Sequence, residues 1–354
     1  MIFRITFIIF FYSSSVFSLT LEKLNVDLSY PWGMTWFDST KLLITQKKSA
    51  EIVLFDLKKN TSTVIEHKIP VAVFGQGGLL DIISEGNDIW ITCSVLKERL
   101  LTTAIFKSTL ENNALIDTKL IFEAEPYIIN AKHFGSRLVL KDDYLFASIG
   151  ERGQGMIAQD PSNAVGSIIR IHKDGKPPSD NPYIENSNWL PEVFQIGVRN
   201  PQGMSLDPLT NKVYISNHGP MGGDFVGPVL KGTNYGWKRV AWGGRNYSGT
   251  KVGEGNAWEP GLLKPDYIWV PSIAVGGIKF YEGDLFPEWQ NSLLVGSLKF
   301  KYLSILHRSD DEFTKEEIIF KNKIGRIRDI EINQKGEIFL LADEPKTSLY
   351  RLTP

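Results

Sequence analysis

Apolar and polar positions alternate in short runs along almost the whole chain, and a 3.6-residue period is nearly absent. The recurring unit is a short apolar strand, a turn carrying Gly, Asn or Asp, and a second strand rich in β-branched and aromatic residues. Six such units are readable, starting at Pro31 (PWGMTWFDSTKLLITQ), Gly77 (GGLLDIISEGNDIWITCSV), Gly135 (GSRLVLKDDYLFASIG), Asn200 (NPQGMSLDPLTNKVYISNHG), Ile273 (IAVGGIKFYEGDLFPEWQNSLLVGSL) and Gly325 (GRIRDIEINQKGEIFLLAD, followed by SLYRL). Their starts lie about 45–75 residues apart, a spacing of blade-sized sheets rather than helical repeats. One four-stranded sheet cannot bury both of its faces; six stacked radially do so and leave only short edges. The pattern therefore predicts one all-β domain over residues 19–354. It is a six-bladed β-propeller with four-stranded antiparallel blades around a central channel. The competing arrangement is a pair of β-sandwiches. Segments 151–196 and 219–270 read as long loops, where function concentrates on a rigid scaffold.

Composition narrows the function classes. The 354 residues carry 39 Lys+Arg against 40 Asp+Glu, which lacks the basic excess of a nucleic-acid binder. The 42% hydrophobic content can build a sizeable core, and 31 Gly fit a turn-rich fold. A single Cys excludes an internal disulfide and a Cys-rich metal centre; Cys93, inside IWITCSV, reads as a small buried hydrophobe. The start, MIFRITFIIFFYSSSVFS, has one early Arg, an apolar run over 5–12, and Val16 and Ser18 at the −3 and −1 positions before Leu19. That run is short for a membrane span, so residues 1–18 are expected to be a cleaved signal peptide. The expected product is periplasmic or secreted, with no stable membrane anchor after cleavage. No apolar stripe demands a dimer, so a monomer or weak dimer is expected.

Several catalytic signatures fail. GERGQG (150–155) is not followed by a helical pattern, and GxSxG, HExxH, P-loop and EF-hand patterns are missing. His67, His172 and His307 sit in ordinary strand or strand-edge contexts. What remains is a set of polar residues at corresponding blade starts, in loops preceding strands: Gln76, His133, Arg199, Asn200, Gln202, Lys299, Arg326 and Arg328. Such loops converge at one end of a propeller channel. Four cations there (Arg199, Lys299, Arg326, Arg328) would make a pocket for a polyanionic, carboxylate-bearing ligand. His133 is the histidine placed to take a proton near neutral pH. The Gly/Pro loop NHGPMGGD (217–224) offers backbone carbonyls, which can ligate a hard cation and also occur in ordinary turns.

In these motifs the chain resembles the soluble, PQQ-dependent aldose sugar dehydrogenases (the soluble quinoprotein glucose dehydrogenase family), from about Pro31 to Leu352. The resemblance rests on GGLLD, H-x-G-x-R-L at 133–138, GSIIRIHKDGKPPSDNP, GVRNPQG, HGPMGGD, GTNYGW, FYEGDLFPEW, GSLK and GRIRD, in that order. It implies a six-bladed propeller holding pyrroloquinoline quinone (PQQ) and Ca²⁺ at one end of its channel. It implies oxidation of an aldose at the anomeric carbon to a lactone, with an unidentified electron acceptor downstream. By this resemblance His133 is the general base, and Arg199, Lys299, Arg326 and Arg328 hold the cofactor with Asn200, Gln202 and Gln76 nearby. The carbonyls of Gly219 and Pro220 would ligate the Ca²⁺.

Three departures stand out. Phe225 replaces a Glu that in relatives helps hold a second, structural calcium together with the carbonyl matching Tyr235. Glu151 stands where relatives carry Asp, and SIAVGG (272–277) replaces SIAPSG. The alternatives are a non-enzymatic sugar- or peptide-binding propeller that has lost quinone binding, and a calcium-dependent sugar lactonase.

Overall fold

The computed structural model describes residues 19–354, so the expected signal peptide at 1–18 lies outside the described residues. Its strands form six separate four-stranded antiparallel sheets. Five are meanders of consecutive strands, over 31–65, 79–123, 135–196, 201–269 and 275–319. The sixth is built from both ends of the described chain: Ile327–Ile332, Ile338–Ala342 and Leu349–Thr353, with Thr20–Lys23 as its outer edge. In that blade Thr20 pairs with Thr353 and Lys23 with Tyr350, which closes the ring. Among the described residues the only helical pieces are two short 3₁₀ turns, Gly155–Gln159 and Pro287–Trp289.

The first strand of each blade contacts the first strands of both neighbouring blades, so these six strands line the channel. They are Pro31–Trp36, Leu79–Glu85, Gly135–Lys141, Pro201–Leu206, Val275–Phe280 and Ile327–Ile332. The hydrophobic core lies between blades. Leu43, Ile52 and Ile65 of the first blade pack against Leu79, Ile91, Cys93 and Ala104 of the second. Burial among them pushes the Cys93 thiol up to about 12, which leaves it an inert filler.

Every innermost strand carries a register irregularity near its start, between Pro31 and Met34, Leu79 and Ile82, Gly135 and Leu138, Pro201 and Gly203, Val275 and Ile278, and Ile327 and Asp329. A bulge inserts a residue and re-aims the side chains around it. Asp81, Arg137, Gln202 and Arg328 lie within or beside these bulges. The expected long loops prove to contain blade strands: Ser167–His172 and Val193–Ile196 in the first, Asp224–Pro228 and Tyr267–Trp269 in the second. Turn-rich insertions between those strands dilute the alternation that would have marked them.

Candidate active site

His133 lies in the loop entering the third blade, with left-handed backbone (φ 52°). That conformation is uncommon outside glycine and needs outside support. The His133 amide donates to Gln76 Oε1 at 2.8 Å, and its carbonyl accepts the Arg152 amide at 3.3 Å. The buried Arg152 guanidinium grips the same loop from beneath. It donates to the carbonyls of Lys132 and Leu101 (both 2.9 Å) and of Asn130, and lies 3.6 Å from the Phe134 ring centroid.

The imidazole faces Glu151. One Glu151 oxygen pairs with His133 Nδ1 and the other accepts the Gly155 amide. Burial pushes the Glu151 carboxyl up, but the His133 hydrogen bond, the Gly155 amide and Arg199 outweigh it and hold it below the usual value. An ionised carboxylate only accepts, so Nδ1 carries the proton and the lone pair sits on Nε2. Burial, aided by Arg199, also holds the His133 pKa below the ordinary value against the pull of Glu151. The ring is therefore neutral near pH 7, with its basic nitrogen free. The extra methylene of Glu151 is accommodated without loss of this pairing.

Facing this pair, Arg199 is buried, its guanidinium 5.4 Å from the Trp237 ring centroid and 3.5 Å from the His218 carbonyl. Asn217 Oδ1 fixes the turn by accepting the amides of Arg199 (3.0 Å) and Asn200 (2.9 Å). Asn200 Oδ1 accepts the Gly135 amide at 3.1 Å, so it ties blade four to blade three. Gln202 Oε1 accepts Arg328 Nη1 at 2.6 Å and lies 3.1 Å from His218 Nε2. His218 is pushed well below the ordinary value by burial, then by Arg199 and Arg328, so it is neutral too. Arg328 also pairs with Asp343 at 2.5 Å, while its Nε is buried with no partner among the described residues. Burial alone would raise Asp343, but Arg328 and Lys47 bring it down to about 2. Half-buried Arg326 donates to the Leu298 carbonyl at 3.2 Å, and Lys299 lies 3.4 Å from the Ser272 carbonyl.

Arg199, Arg326 and Lys299 thus make no ion pair with a carboxylate among the described residues, although all three face one channel mouth. Charges so placed are poised for an anion from outside. At the same mouth, the buried Gly219 and Pro220 carbonyls accept no hydrogen bond from the described residues. Asp224 orients their turn by accepting the Gly219 amide at 2.7 Å.

Beneath the mouth the channel is plugged. Arg137 Nη1 lies 2.9 Å from both Asp81 and Asp329. Its Nε donates to the Gln202 carbonyl (2.8 Å), and Nη2 to the carbonyls of Arg328 (2.8 Å) and Trp32 (3.3 Å). Asp81 and Asp329 in turn accept the amides of Leu138 and Met34, both at 2.8 Å. Gly33 and Gly277 leave room for the two carboxylates, since a Cβ at either would run into Asp81 or Asp329. This network fixes the backbone from which Gln202 and Arg328 rise.

A family model described as Glucose / Sorbosone dehydrogenase matches residues 28–351. The chain belongs to that family. Aldose sugar dehydrogenase YliI of Escherichia coli (strain K12) is 32% identical over 347 residues, 95% of this chain and 93% of that protein. A crystal structure of the soluble aldose sugar dehydrogenase from Escherichia coli, in the apo-form, matches with a TM-score of 0.90 at 33% identity, covering 95% of this chain and 100% of that one. Quinoprotein glucose dehydrogenase B of Acinetobacter calcoaceticus is 26% identical over 237 residues, 47% of this chain and 49% of that protein.

Within this glucose/sorbosone dehydrogenase fold the residues singled out by sequence gather at one channel mouth, with two adjustments. Gln202 and Arg328 lie inside innermost strands, turned by the bulges, and not in loops. Lys299 follows the second strand of blade five, and its amide donates to the Ile273 carbonyl at 3.1 Å, which brings it to the same end. Sequence reasoning missed Arg152, Asn217, His218, Asp343 and the Arg137 plug. A charged residue inside the apolar strand GSRLVL was the available signal for Arg137, and adjacency to Gly219 was the signal for His218. Phe225 packs on Tyr235 with ring centroids 4.7 Å apart, in a cluster with Val198 and Ile215. The position where the resemblance implies a second calcium ligand is therefore apolar.

Proposed function

We propose that this chain is a PQQ- and calcium-dependent dehydrogenase that oxidises an aldose at its anomeric carbon to the lactone. The observation that carries the reading is the channel mouth itself: cations without carboxylate partners facing a neutral histidine whose basic nitrogen is free. The residues fit the cofactor. Arg199, Lys299, Arg326 and the unpartnered Arg328 Nε would hold the carboxylates and quinone oxygens of PQQ, and the Gly219 and Pro220 carbonyls would hold Ca²⁺, an oxygen-seeking cation. The quinoprotein relative supports the choice of cofactor. When bound, PQQ supplies a two-electron acceptor and Ca²⁺ polarises it as a Lewis acid. The chain supplies the proton chemistry. His133 Nε2 takes the proton of the anomeric hydroxyl, and Glu151 keeps the ring oriented and stabilises the imidazolium that results. Apo protein given PQQ and CaCl₂ should show a changed quinone absorbance and reduce a dye with aldoses; no spectral change at excess PQQ overturns the reading.

Two further outcomes are expected. Arg326→Ala removes a half-buried cation that has no carboxylate to orphan, so folding is preserved. PQQ affinity, followed by absorbance titration, should fall by about 10–100-fold, as for a lost charged hydrogen bond of roughly 1.5–3 kcal/mol. An unchanged affinity would remove Arg326 from the cradle.

The second outcome concerns pH. His133 must be neutral to accept a proton, so kcat/KM rises as pH passes upward through its pKa. Because burial and Arg199 lower that pKa, the rising limb should be centred below the ordinary histidine value. Glu151→Gln removes the partner that raises it, and should move the limb further down while lowering the plateau. A limb centred above the ordinary value would contradict the assignment.

A further inference from the structure

The near-zero net charge of the chain conceals a separation between the two faces of the propeller. On the face that carries His133, exposed basic side chains crown the turns of four blades, Lys48, Lys97, Arg99, Lys299, Lys323 and Lys346, and outnumber the exposed Glu98 and Glu125 among them. The turns of the opposite face are acidic on balance: Asp142, Asp143, Glu282, Asp284, Asp310 and Asp311 stand exposed there, against Lys58, Lys59, Lys212 and Lys335. On the same face apolar side chains also stand exposed: Phe74 (66%) and Ile129 (75%) on the loops entering the second and third blades, and Met156, Met221, Tyr247 (73%) and Val270 (65%) on the third and fourth. Their positions follow from the backbone. Phe74 precedes Gln76, and its carbonyl accepts the Gly77 amide. Ile129 precedes the loop that Arg152 grips. Met221 donates its amide to the Arg245 carbonyl, which brings the 245–251 hairpin and Tyr247 to the rim; Tyr247 is close enough to act on the charge of Arg199.

We propose that this face is the docking surface for a small, acidic, one-electron redox protein that reoxidises the enzyme. The inference rests on the dehydrogenase reading and supplies the partner that reading lacks. Each aldose oxidised to lactone gives up two electrons and two protons. Two partner molecules, docking in turn, each accept one electron, and the two protons pass to water. Electron-transfer pairs use small interfaces whose apolar centre excludes water while surrounding charges steer the encounter. The face here has both zones, side by side around the channel mouth, so a partner that spans them lies over the site. The acidic far face repels the same partner and turns the basic face toward it. A membrane surface of anionic lipid would meet the same charge. However, the apolar residues stand on separate loops around an opening, without the continuous amphipathic helix that inserts into an interface.

The test measures binding of the apo chain to two soluble carriers, plant plastocyanin (acidic) and mitochondrial cytochrome c (basic), at low and high salt. Plastocyanin should bind at about 20 mM NaCl and lose roughly tenfold in affinity at about 200 mM, as screening shortens the reach of the charges; cytochrome c should not bind. A triple variant, Lys97→Glu, Arg99→Glu and Lys323→Glu, alters exposed turn residues only. It should weaken plastocyanin binding about tenfold or more and slow plastocyanin reduction by the loaded enzyme with an aldose, yet leave dye reduction unchanged. No plastocyanin binding at low salt overturns the proposal, and so does equal binding by the variant. Capture of the chain by phosphatidylglycerol vesicles with no binding to plastocyanin also overturns it, in favour of a membrane. Plastocyanin binding without any dye reduction supports the docking face and removes the dehydrogenase reading instead.

Discussion

Replacing His133 with alanine should cut turnover by about 10²–10⁴-fold, the range for loss of a positioned general base, while PQQ affinity stays within a few-fold of the native value. The asymmetry follows from the geometry. His133 makes no hydrogen bond to Arg199, Arg326, Arg328 or Lys299 among the described residues, and these cations are held by Asn217, Leu298, Gln202, Asp343 and the carbonyls around them. The imidazole contributes only Nε2, because Nδ1 is committed to Glu151. Steady-state dye reduction and quinone absorbance separate the two effects. Turnover at the native rate would remove His133 from the base role, and a parallel collapse of PQQ binding would make it a cofactor ligand. His133→Gln should behave like the alanine variant.

The largest effect on stability should come from the channel plug. Arg137 is buried, and so are the two carboxylates it bridges. Arg137→Ala leaves both without their cation and strips hydrogen bonds from the Gln202, Arg328 and Trp32 carbonyls. Removing one partner of a buried ionic cluster costs about 3–5 kcal/mol, and urea unfolding followed by tryptophan fluorescence should show a loss of that size. A loss below about 1 kcal/mol would mean that the plug adds little to folding. Replacing all three charges at once, as in Arg137→Met with Asp81→Asn and Asp329→Asn, should cost less than the single change, because no uncompensated charge remains. PQQ affinity should also fall in Arg137→Ala, since Gln202 and Arg328 stand on the backbone that the plug holds.

The six-unit pattern was legible because the inner strands alternate strongly and are entered through Gly- or Pro-bearing turns: the strands at Pro31 and Gly135 begin where the pattern places them. Outer strands carry a weaker signal. Thr61–Ile65 is exposed at four of its five positions, and Tyr267–Trp269 is a three-residue strand at the end of a long insertion. The cations and His133, which the fold brings to one channel mouth, were singled out from residue type and order, and the Gly219–Pro220 pair through the family resemblance. Their support was not. A bulge adds a residue without any mark in composition, so the turning of Gln202 and Arg328 into the channel could not be seen. Arg137 meets Asp81 across 56 residues and the Arg328 carbonyl across 191, distances over which a single sequence holds no pairing information. The orientation of Glu151 likewise depends on the Gly155 amide, a backbone group that side-chain identities do not report.

The shared sixth blade has a consequence for how the molecule is made. Thr20–Lys23 is synthesised more than 300 residues before its partner, Leu349–Thr353. Until residues 349–353 are present, the early strand lacks its partner and the circle stands open. Contacts between the two ends of a chain are among the slowest to form. The latch therefore makes closure a late event: a chain that stops short of residue 349 can build most of its blades, yet it leaves an unpaired edge exposed to self-association and to proteases.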